Sequence, residues 1–217
     1  MDDDRVAVLP KEMSLDYGAM IEPVAVAVHA AMRGGDLQDK NVVVSGAGPI
    51  GNLVAQVARA RGAKRVLITD VSDFRLEIAR KCGITDTLNV TKTPLREGVS
   101  ELFGEANFQA AFEVAGAESS IRSLMESIEK GGTVVVVAVF GKDPALSMFY
   151  LGEHELKMIG TLMYRHEDYL TAIELVKTGA VSLSPLISNH FRFEEYDEAY
   201  KYIEEHNATS MKVIINM

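Results

Sequence analysis

The 217-residue chain is 47% hydrophobic and 24% charged, a composition typical of folded globular proteins and unlike that of disordered ones. Its net charge of −9 argues against nucleic-acid partners, which require basic patches that the sequence does not contain. No apolar run is long enough to span a membrane and the acidic beginning is unlike a signal peptide, so we expect no membrane partner and a cytoplasmic location.

The first predicted helix follows Pro23 and ends at the glycine pair 34–35, after a short extended stretch and a polar turn. Its apolar residues are nearly continuous, which indicates burial on most sides. Glu22 would cap this helix, because a carboxylate is favoured at the positive end of the helix dipole. His29 lies seven residues later on the same helical face, and a buried, hydrogen-bonded histidine is favoured over a metal ligand.

Residues 41–70, NVVVSGAGPIGNLVAQVARARGAKRVLITD, form the central unit of the sequence. A short β-branched run opens the unit and a second one closes it, and each predicts a buried strand. Between them lie Gly46, Gly48 and Gly51, followed by apolar residues at helical spacing. Because strand, glycine turn, helix and second strand occur in this order, the unit predicts a dinucleotide-binding site rather than an incidental glycine turn.

Each residue of the glycine segment has a task if a dinucleotide binds. Gly46 permits the tight turn, Gly48 lets the backbone approach a pyrophosphate, and Gly51 lets helix and strand pack closely. The first helical turn contains Pro49, which needs no N–H partner there, and Ile50. Its unpaired N–H groups carry a partial positive charge toward the phosphates.

Asp70 ends the second strand, 19 residues after Gly51. A carboxylate at this position accepts hydrogen bonds from the hydroxyls of an adenosine ribose. A 2′-phosphate would meet the same negative charge, so the sequence favours NAD over NADP as the cofactor.

Short strands and helices continue to alternate after the central unit, which predicts an α/β fold with a doubly wound parallel sheet and helices on both faces. The further predicted strands are 87–90, 108–114, 133–139, 146–150 and 156–162, and the helices are 72–81, 94–103 and 117–129. The alternation breaks beyond Tyr164, where helices at 168–177 and 196–206 and a last strand at 211–215 are predicted. This tail is therefore assigned to a different structural unit from residues 24–165.

Several segments together resemble the cofactor-binding half of the zinc-containing medium-chain dehydrogenases, nearest to the sorbitol and threonine dehydrogenase branch. They are GAMIEPVAVAVHAAMRGG, VVVSGAGPIGNLVAQVARARGAKRVLITDVSDFRLEIARKCG, FEVAGAESSI and KGGTVVVVAVF. The resemblance spans essentially the whole chain and implies a Rossmann domain at residues 24–165. It also implies that residues 1–23 and 166–217 are remnants of a GroES-like catalytic domain that would pack against the rest of that domain.

The resemblance implies further cofactor contacts at the ends of the later strands. Val114, Ala115, Val139 and Thr161 would line the adenosine and nicotinamide pockets, although their side chains suit plain core packing equally well. Arg75, five residues after Asp70, would pack near the adenine, where its planar guanidinium can stack, and an exposed helical arginine is the alternative.

Glu22 is the one residue that the resemblance implies for zinc, because this branch has a glutamate at or near its catalytic metal. One ligand is not a metal site, so metal binding is expected only in a full-length enzyme. The cysteine and the Gly-His-Glu segment of the family's barrel are absent here, and Cys82 is the only cysteine. We therefore expect a fragment that is inactive alone.

The expected function is that of the NAD(H)-binding part of a zinc-dependent oxidoreductase that acts on a secondary alcohol, a polyol or a hydroxy amino acid. The first alternative is a stand-alone NAD-binding or NAD-sensing module without catalysis. A single-domain short-chain or hydroxyacid dehydrogenase is the second, but the Tyr-x-x-x-Lys pair of the short-chain class is absent. The resemblance also implies a homo-oligomer formed through residues 145–162, with Leu146–Tyr150 as a strand between subunits.

Overall fold

A computed structural model describes residues 6–104 and 107–217. Six parallel strands form one sheet in the order β3-β2-β1-β4-β5-β6. β1 and β4 lie at the centre, β2 and β3 follow on one side of them, and β5 and β6 follow on the other. The strands are β1 Asn41–Ser45, β2 Arg65–Asp70, β3 Asp86–Asn89, β4 Ala110–Glu113, β5 Thr133–Val136 and β6 Lys157–Gly160. This is the predicted doubly wound sheet, and its order reverses between β1 and β4, where such folds bind ligands.

Helices cover both faces of the sheet, as the near-continuous apolar strands require. In the sheet region they are α1 Leu15–Arg33, α2 Pro49–Ala60, α3 Asp73–Lys81, α4 Leu95–Phe103, α5 Glu118–Ser127 and α6 Met148–Glu153. One core lies between the sheet and α1, α2 and α3 and includes Val44, Ile68 and Phe112. The other lies beneath α4 and α5 and includes Val43 and Leu67.

The first helix begins earlier than its sequence predicts. It runs from Leu15 through Pro23, so the expectation that Pro23 starts the helix is wrong, as is a capping role for Glu22. Ser14 is the N-cap and accepts a hydrogen bond from the Tyr17 amide at 3.2 Å. An interior proline removes one backbone hydrogen bond, and the burial of nine of the 19 residues of this helix offsets that loss.

The segment that the sequence predicts as a strand between subunits forms a helix instead. Residues 148–153 form helix α6, so the prediction of a strand at Leu146–Tyr150 is wrong. Tyr150 and Leu151 pack against the core under α5, whereas Met148 and Phe149 are exposed. The local sequence is apolar enough for either structure, and contact with α5 decides the outcome.

The chain beyond the sheet begins with a helix whose Ala172, Ile173 and Val176 join the core between the large sheet and α1, and it continues into a second, smaller sheet. It contains α7 His166–Lys177, β7 Ile187–Arg192, α8 Tyr196–Glu205 and β8 Lys212–Asn216, and β7 and β8 form a separate two-stranded parallel sheet. The break in alternation that the sequence predicts is therefore present. Within the described residues, no helix combines the length and the apolar character needed to cross a membrane.

Candidate functional site

The glycine segment forms the turn between β1 and α2 at the carboxyl end of the sheet. Gly46 has a φ of 107°, and a Cβ there would lie 2.9 Å from the Ala115 amide nitrogen. A Cβ on Gly51 would overlap the Gly46 carbonyl oxygen. Both positions therefore require glycine for the packing of the protein itself.

Gly48 differs from the other two glycines, because a Cβ built on it meets nothing within 4 Å. It is the N-cap of α2 and has a φ of −64°, so neither its own backbone conformation nor the local packing demands glycine. No side chain caps this end of the helix, and Pro49 occupies its first turn. The open space lies beside free helix N–H groups, which is the arrangement that accepts a phosphate.

Asn52 fixes the shape of this turn. Its side-chain amide donates to the carbonyl oxygens of Ala47 at 2.6 Å and Gly48 at 3.2 Å, and the residue is fully buried. The amide therefore holds the two peptide groups that precede the helix, and it keeps the first turn of α2 facing the open space.

Asp70 stands at the end of β2, where the sequence predicts a ribose-binding carboxylate. One oxygen accepts a hydrogen bond from the Ala47 amide at 2.7 Å, and the other accepts one from the Ser72 amide at 2.9 Å. The residue is buried, with 8% of its surface exposed. Because each carboxylate oxygen has two lone pairs, acceptor capacity remains for a ligand hydroxyl.

Arg75 lies next to this carboxylate on α3. Its Nη1 is 4.0 Å from Asp70 Oδ2, and its Nη2 donates to the Asn207 carbonyl at 3.3 Å. The guanidinium therefore links the carboxyl end of β2 to the turn after α8. Its expected contact with an adenine stays a prediction.

The later strand ends lie around the same edge. Gly116 has a φ of 68°, and a Cβ on it would be 3.2 Å from the Val139 carbonyl oxygen, so loop 114–116 packs closely on the end of β5. The Val139 side chain is 86% exposed at this edge. The Thr161 hydroxyl is buried and has no hydrogen-bond partner in the described part of the chain.

Glu113 is the residue at this edge that the sequence reading missed. It ends β4 and is fully buried, and its carboxylate accepts hydrogen bonds from the Ser120 hydroxyl at 2.8 Å and from the backbone of Ala115 and Gly116. Burial raises the pKa of the Glu113 carboxyl, while these hydrogen bonds oppose that rise. One sequence feature could have pointed to Glu113: three of the apolar strands end in a polar residue. These residues are Ser45 on β1, Asp70 on β2 and Glu113 on β4.

Glu22 lies on α1 near a pair of tyrosines. The pKa of Tyr169 is raised to about 12, mainly because the residue is partly buried. A hydrogen bond with Tyr164 and the negative charge of Glu22 raise this pKa further. The two tyrosine rings meet edge to face with centroids 4.9 Å apart. They line a cavity of about 660 Å³ together with residues of α1, including Gly18 and Ile21.

The described residues do not form a metal site by themselves. Across residues 6–104 and 107–217, no group of three or more His, Cys, Asp or Glu side chains is arranged to hold a metal ion. His29 Nδ1 instead lies 2.9 Å from Asp168 Oδ2, as the prediction of a hydrogen-bonded histidine expected. A single carboxylate, Glu22, does not fit zinc on its own.

Comparisons with known proteins agree with this geometry. A family model for zinc-binding dehydrogenases matches residues 49–178, and the chain belongs to that family. It is 36% identical to sorbitol dehydrogenase 1 of Saccharomyces cerevisiae over 98% of this chain and 61% of the relative. It is 32% identical to L-threonine 3-dehydrogenase of Shewanella woodyi over 96% of this chain and 60% of the relative.

A solved structure extends the likeness to three dimensions. Galactitol-1-phosphate dehydrogenase from Escherichia coli superimposes with a TM-score of 0.88 at 30% identity, and the match covers 98% of this chain and 64% of that one. The family resemblance and the Rossmann-like fold inferred from the sequence are thus confirmed. The chain spans about three fifths of the length of the curated relatives that it matches.

Proposed function

We propose that this chain is the NAD(H)-binding part of a dehydrogenase that oxidises a secondary alcohol, either a polyol or a hydroxy amino acid. The space at Gly48, beside the uncapped N-terminus of α2, is the observation that carries the proposal. The class of substrate follows the names of the sorbitol and threonine dehydrogenases to which the chain is similar.

The proposed binding mode uses the carboxyl edge of the sheet from end to end. The pyrophosphate lies at Gly48 and accepts hydrogen bonds from the N–H groups in the first turn of α2, including those of Ile50 and Gly51. The adenosine ribose binds Asp70, and Arg75 lies at the adenine. The nicotinamide lies against loop 114–116 and the ends of β5 and β6, the region of Val114, Ala115, Val139 and Thr161.

The bound NAD supplies the acceptor for a hydride from the alcohol carbon. The proposed task of this chain is to orient the nicotinamide against loop 114–116, whose conformation is held by hydrogen bonds from the Ala115 and Gly116 amides to Glu113. The negative charge of Asp70 supports selection of NAD over NADP, because it opposes a 2′-phosphate.

Zinc enters the proposal only for a longer protein. Glu22 would then be one donor at or near the metal and other chain segments would provide the rest, which agrees with the partial coverage of the relatives. The 217 residues alone are expected to turn over no alcohol. Addition of zinc, NAD and a panel of polyols that produced NADH at an enzymatic rate would contradict this statement.

A homo-oligomer in the cytoplasm is the proposed form of the protein. Strand β6 lies at the edge of the large sheet, and the exposed Met148 and Phe149 of α6 precede it in the chain. An unpaired edge strand invites pairing with a second copy, so residues 145–162 remain the proposed interface with β6 in place of the strand first expected.

The decisive experiment compares two glycine substitutions. Gly48→Val fills the open space, so we expect NADH affinity to fall at least about tenfold while the melting temperature stays within a few degrees of wild type. Gly152→Val, at another glycine with nothing within 4 Å, is the matched control and should bind NADH normally. Calorimetric titration and circular dichroism give the two readings. Wild-type affinity in Gly48→Val, or no NADH binding by the wild-type chain, would refute the proposal.

A further inference from the structure

A row of polar side chains is buried below the proposed nicotinamide loop. Ser45 pairs in register with Thr69 on one side and with Glu113 on the other. Residues paired across parallel strands point to the same face, so the three side chains share one face of the sheet. Ser120 of α5 reaches them from that face and contacts both Ser45 and Glu113.

The hydroxyl groups of this row form a chain that ends at the carboxylate. Thr69 Oγ1 lies 3.3 Å from Ser45 Oγ, Ser45 Oγ lies 2.7 Å from Ser120 Oγ, and Ser120 Oγ lies 2.8 Å from Glu113 Oε1. Each hydroxyl has one proton and an ionised carboxylate only accepts. Ser120 therefore donates to Glu113, Ser45 donates to Ser120, and Thr69 donates to Ser45.

The same carboxylate also holds the backbone of the loop that follows β4. Glu113 Oε1 accepts the Ala115 amide at 3.1 Å and the Gly116 amide at 3.0 Å, and Oε2 is 3.3 Å from the Gly116 nitrogen. The loop in turn contacts Gly46, where a Cβ would be 2.9 Å from the Ala115 nitrogen. Glu113 thus determines how closely loop 114–116 approaches the glycine turn.

We propose that Glu113 is a positioning residue for the nicotinamide end of the dinucleotide. Its carboxylate, oriented by Ser120, keeps the Ala115 and Gly116 amides in the loop conformation that binds NAD(H). This inference rests on the proposed function, because it assumes that the chain binds the dinucleotide at this edge.

Protonation would weaken this arrangement. A neutral carboxyl group would carry its proton on Oε2, which lies 3.3 Å from the Gly116 nitrogen, and its Oε1 would accept the hydrogen bonds from Ser120, Ala115 and Gly116 without the added strength of a negative charge. The adjoining elements β2 and α5 carry the charged residues Asp70, which accepts hydrogen bonds from the Ala47 and Ser72 amides, and Glu118, which pairs with Arg122. Neither is among the causes that shift the pKa of Glu113, which burial raises above its ordinary value of 4.5.

Ionisation of Glu113 has opposite effects on the stability of the protein and on its affinity for NADH. A raised native pKa means that the protonated carboxyl contributes stability below pH 4.5, and this contribution is lost as pH rises through the native pKa. NADH affinity should instead rise over the same window, because the ionised carboxylate holds the loop. A side chain that served stability alone would not move affinity and stability in opposite directions.

The experiment compares the whole chain with Glu113→Gln, which has the shape of the neutral form. We expect Glu113→Gln to bind NADH about tenfold more weakly than wild type at neutral pH. Its affinity should no longer rise with pH above 4.5, and the variant should lose no stability. Ser123→Ala is the matched control on α5, because the Ser123 hydroxyl donates to the Ser119 carbonyl and not to this row. Calorimetric titration with NADH and urea unfolding at each pH give the readings.

The outcomes separate this inference from the proposed function. A wild-type chain that binds no NADH contradicts both, whereas equal affinity and equal pH dependence in wild type and Glu113→Gln contradict the inference alone. If Glu113→Gln does not fold, Ser120→Ala decides, since it keeps the carboxylate and removes its orienting donor. Ser120→Ala should weaken NADH binding several-fold, and wild-type affinity in this variant would overturn the inference.

Discussion

Asp70 accepts a hydrogen bond from the Ala47 amide of the glycine turn at 2.7 Å and another from the Ser72 amide, at the start of α3, at 2.9 Å. The residue that the sequence assigns to a ribose is thus also a structural support of the loop that would hold the pyrophosphate. In the proposed binding mode the Asp70 carboxylate would therefore both recognise the ribose and support the loop beside it.

Replacement of Asp70 tests the preference for NAD. Asp70→Asn keeps an acceptor oxygen for the loop but removes the charge that opposes a 2′-phosphate, so we expect the ratio of NADH to NADPH affinity to fall about tenfold. Both dissociation constants are measured by calorimetric titration. Asp73→Asn, which removes an exposed carboxylate paired with Lys92 at 2.6 Å, is the control and should leave the ratio unchanged. An unchanged ratio in Asp70→Asn would refute the selectivity argument.

At the scale of the elements, helix α1 shows how burial overrides a local signal. A proline usually begins or breaks a helix, yet Pro23 lies within Leu15–Arg33 because this helix packs between α2 and α7 and buries nine of its 19 residues, Pro23 among them. The contact between α1 and α7 also carries a polar link. Asp168 Oδ2 accepts the Arg165 amide at 2.7 Å and lies 2.9 Å from His29 Nδ1.

Removal of this link should destabilise the whole domain. Asp168 is 7% exposed, so Asp168→Ala leaves two partners without an acceptor, and we expect a loss of about 2 kcal/mol in the free energy of unfolding. Asp168→Asn keeps one acceptor oxygen and should lose less. Urea unfolding gives both values. Glu174→Ala on the same helix removes an exposed ion pair with Lys177 and should change stability very little, and an equal loss in this control would contradict the assignment.

At the scale of the whole molecule, the edge of the sheet matters most. The Lys157 amide donates to the Gly132 carbonyl just before β5 at 2.9 Å and the Thr161 amide to Val136 at 3.1 Å, so in the alternation of a strand the Met158 amide points toward the free edge. The six-stranded sheet therefore ends in a strand with backbone groups available to a second copy.

A proline at the edge tests the proposed oligomer. Met158→Pro removes a donor from the free edge and keeps the hydrogen bonds to β5, so we expect a dimeric or larger wild type to become monomeric. Light scattering coupled to size-exclusion chromatography measures the mass. Lys157→Ala is the control, because the Lys157 amide already donates to the Gly132 carbonyl. A wild-type monomer at high concentration, or an unchanged oligomer in Met158→Pro, would exclude this edge as the interface.

The sequence by itself determined the parts of this protein that depend on local pattern. The glycine turn, the apolar strands, the terminal acid Asp70 and the doubly wound order all follow from spacing and residue type, because each is specified within a few dozen neighbouring residues. The family resemblance rested on the same segments in the same order.

Only the tertiary structure decided the features that depend on distant neighbours. The course of α1 through Pro23 and the helix at residues 148–153 depend on burial against other elements, which local spacing does not encode. Glu113 ended an apolar strand in the sequence, and its role became visible when Ser45, Thr69 and Ser120 met around it. A buried carboxylate is stable only where donors converge from several elements, and that convergence is a property of the fold.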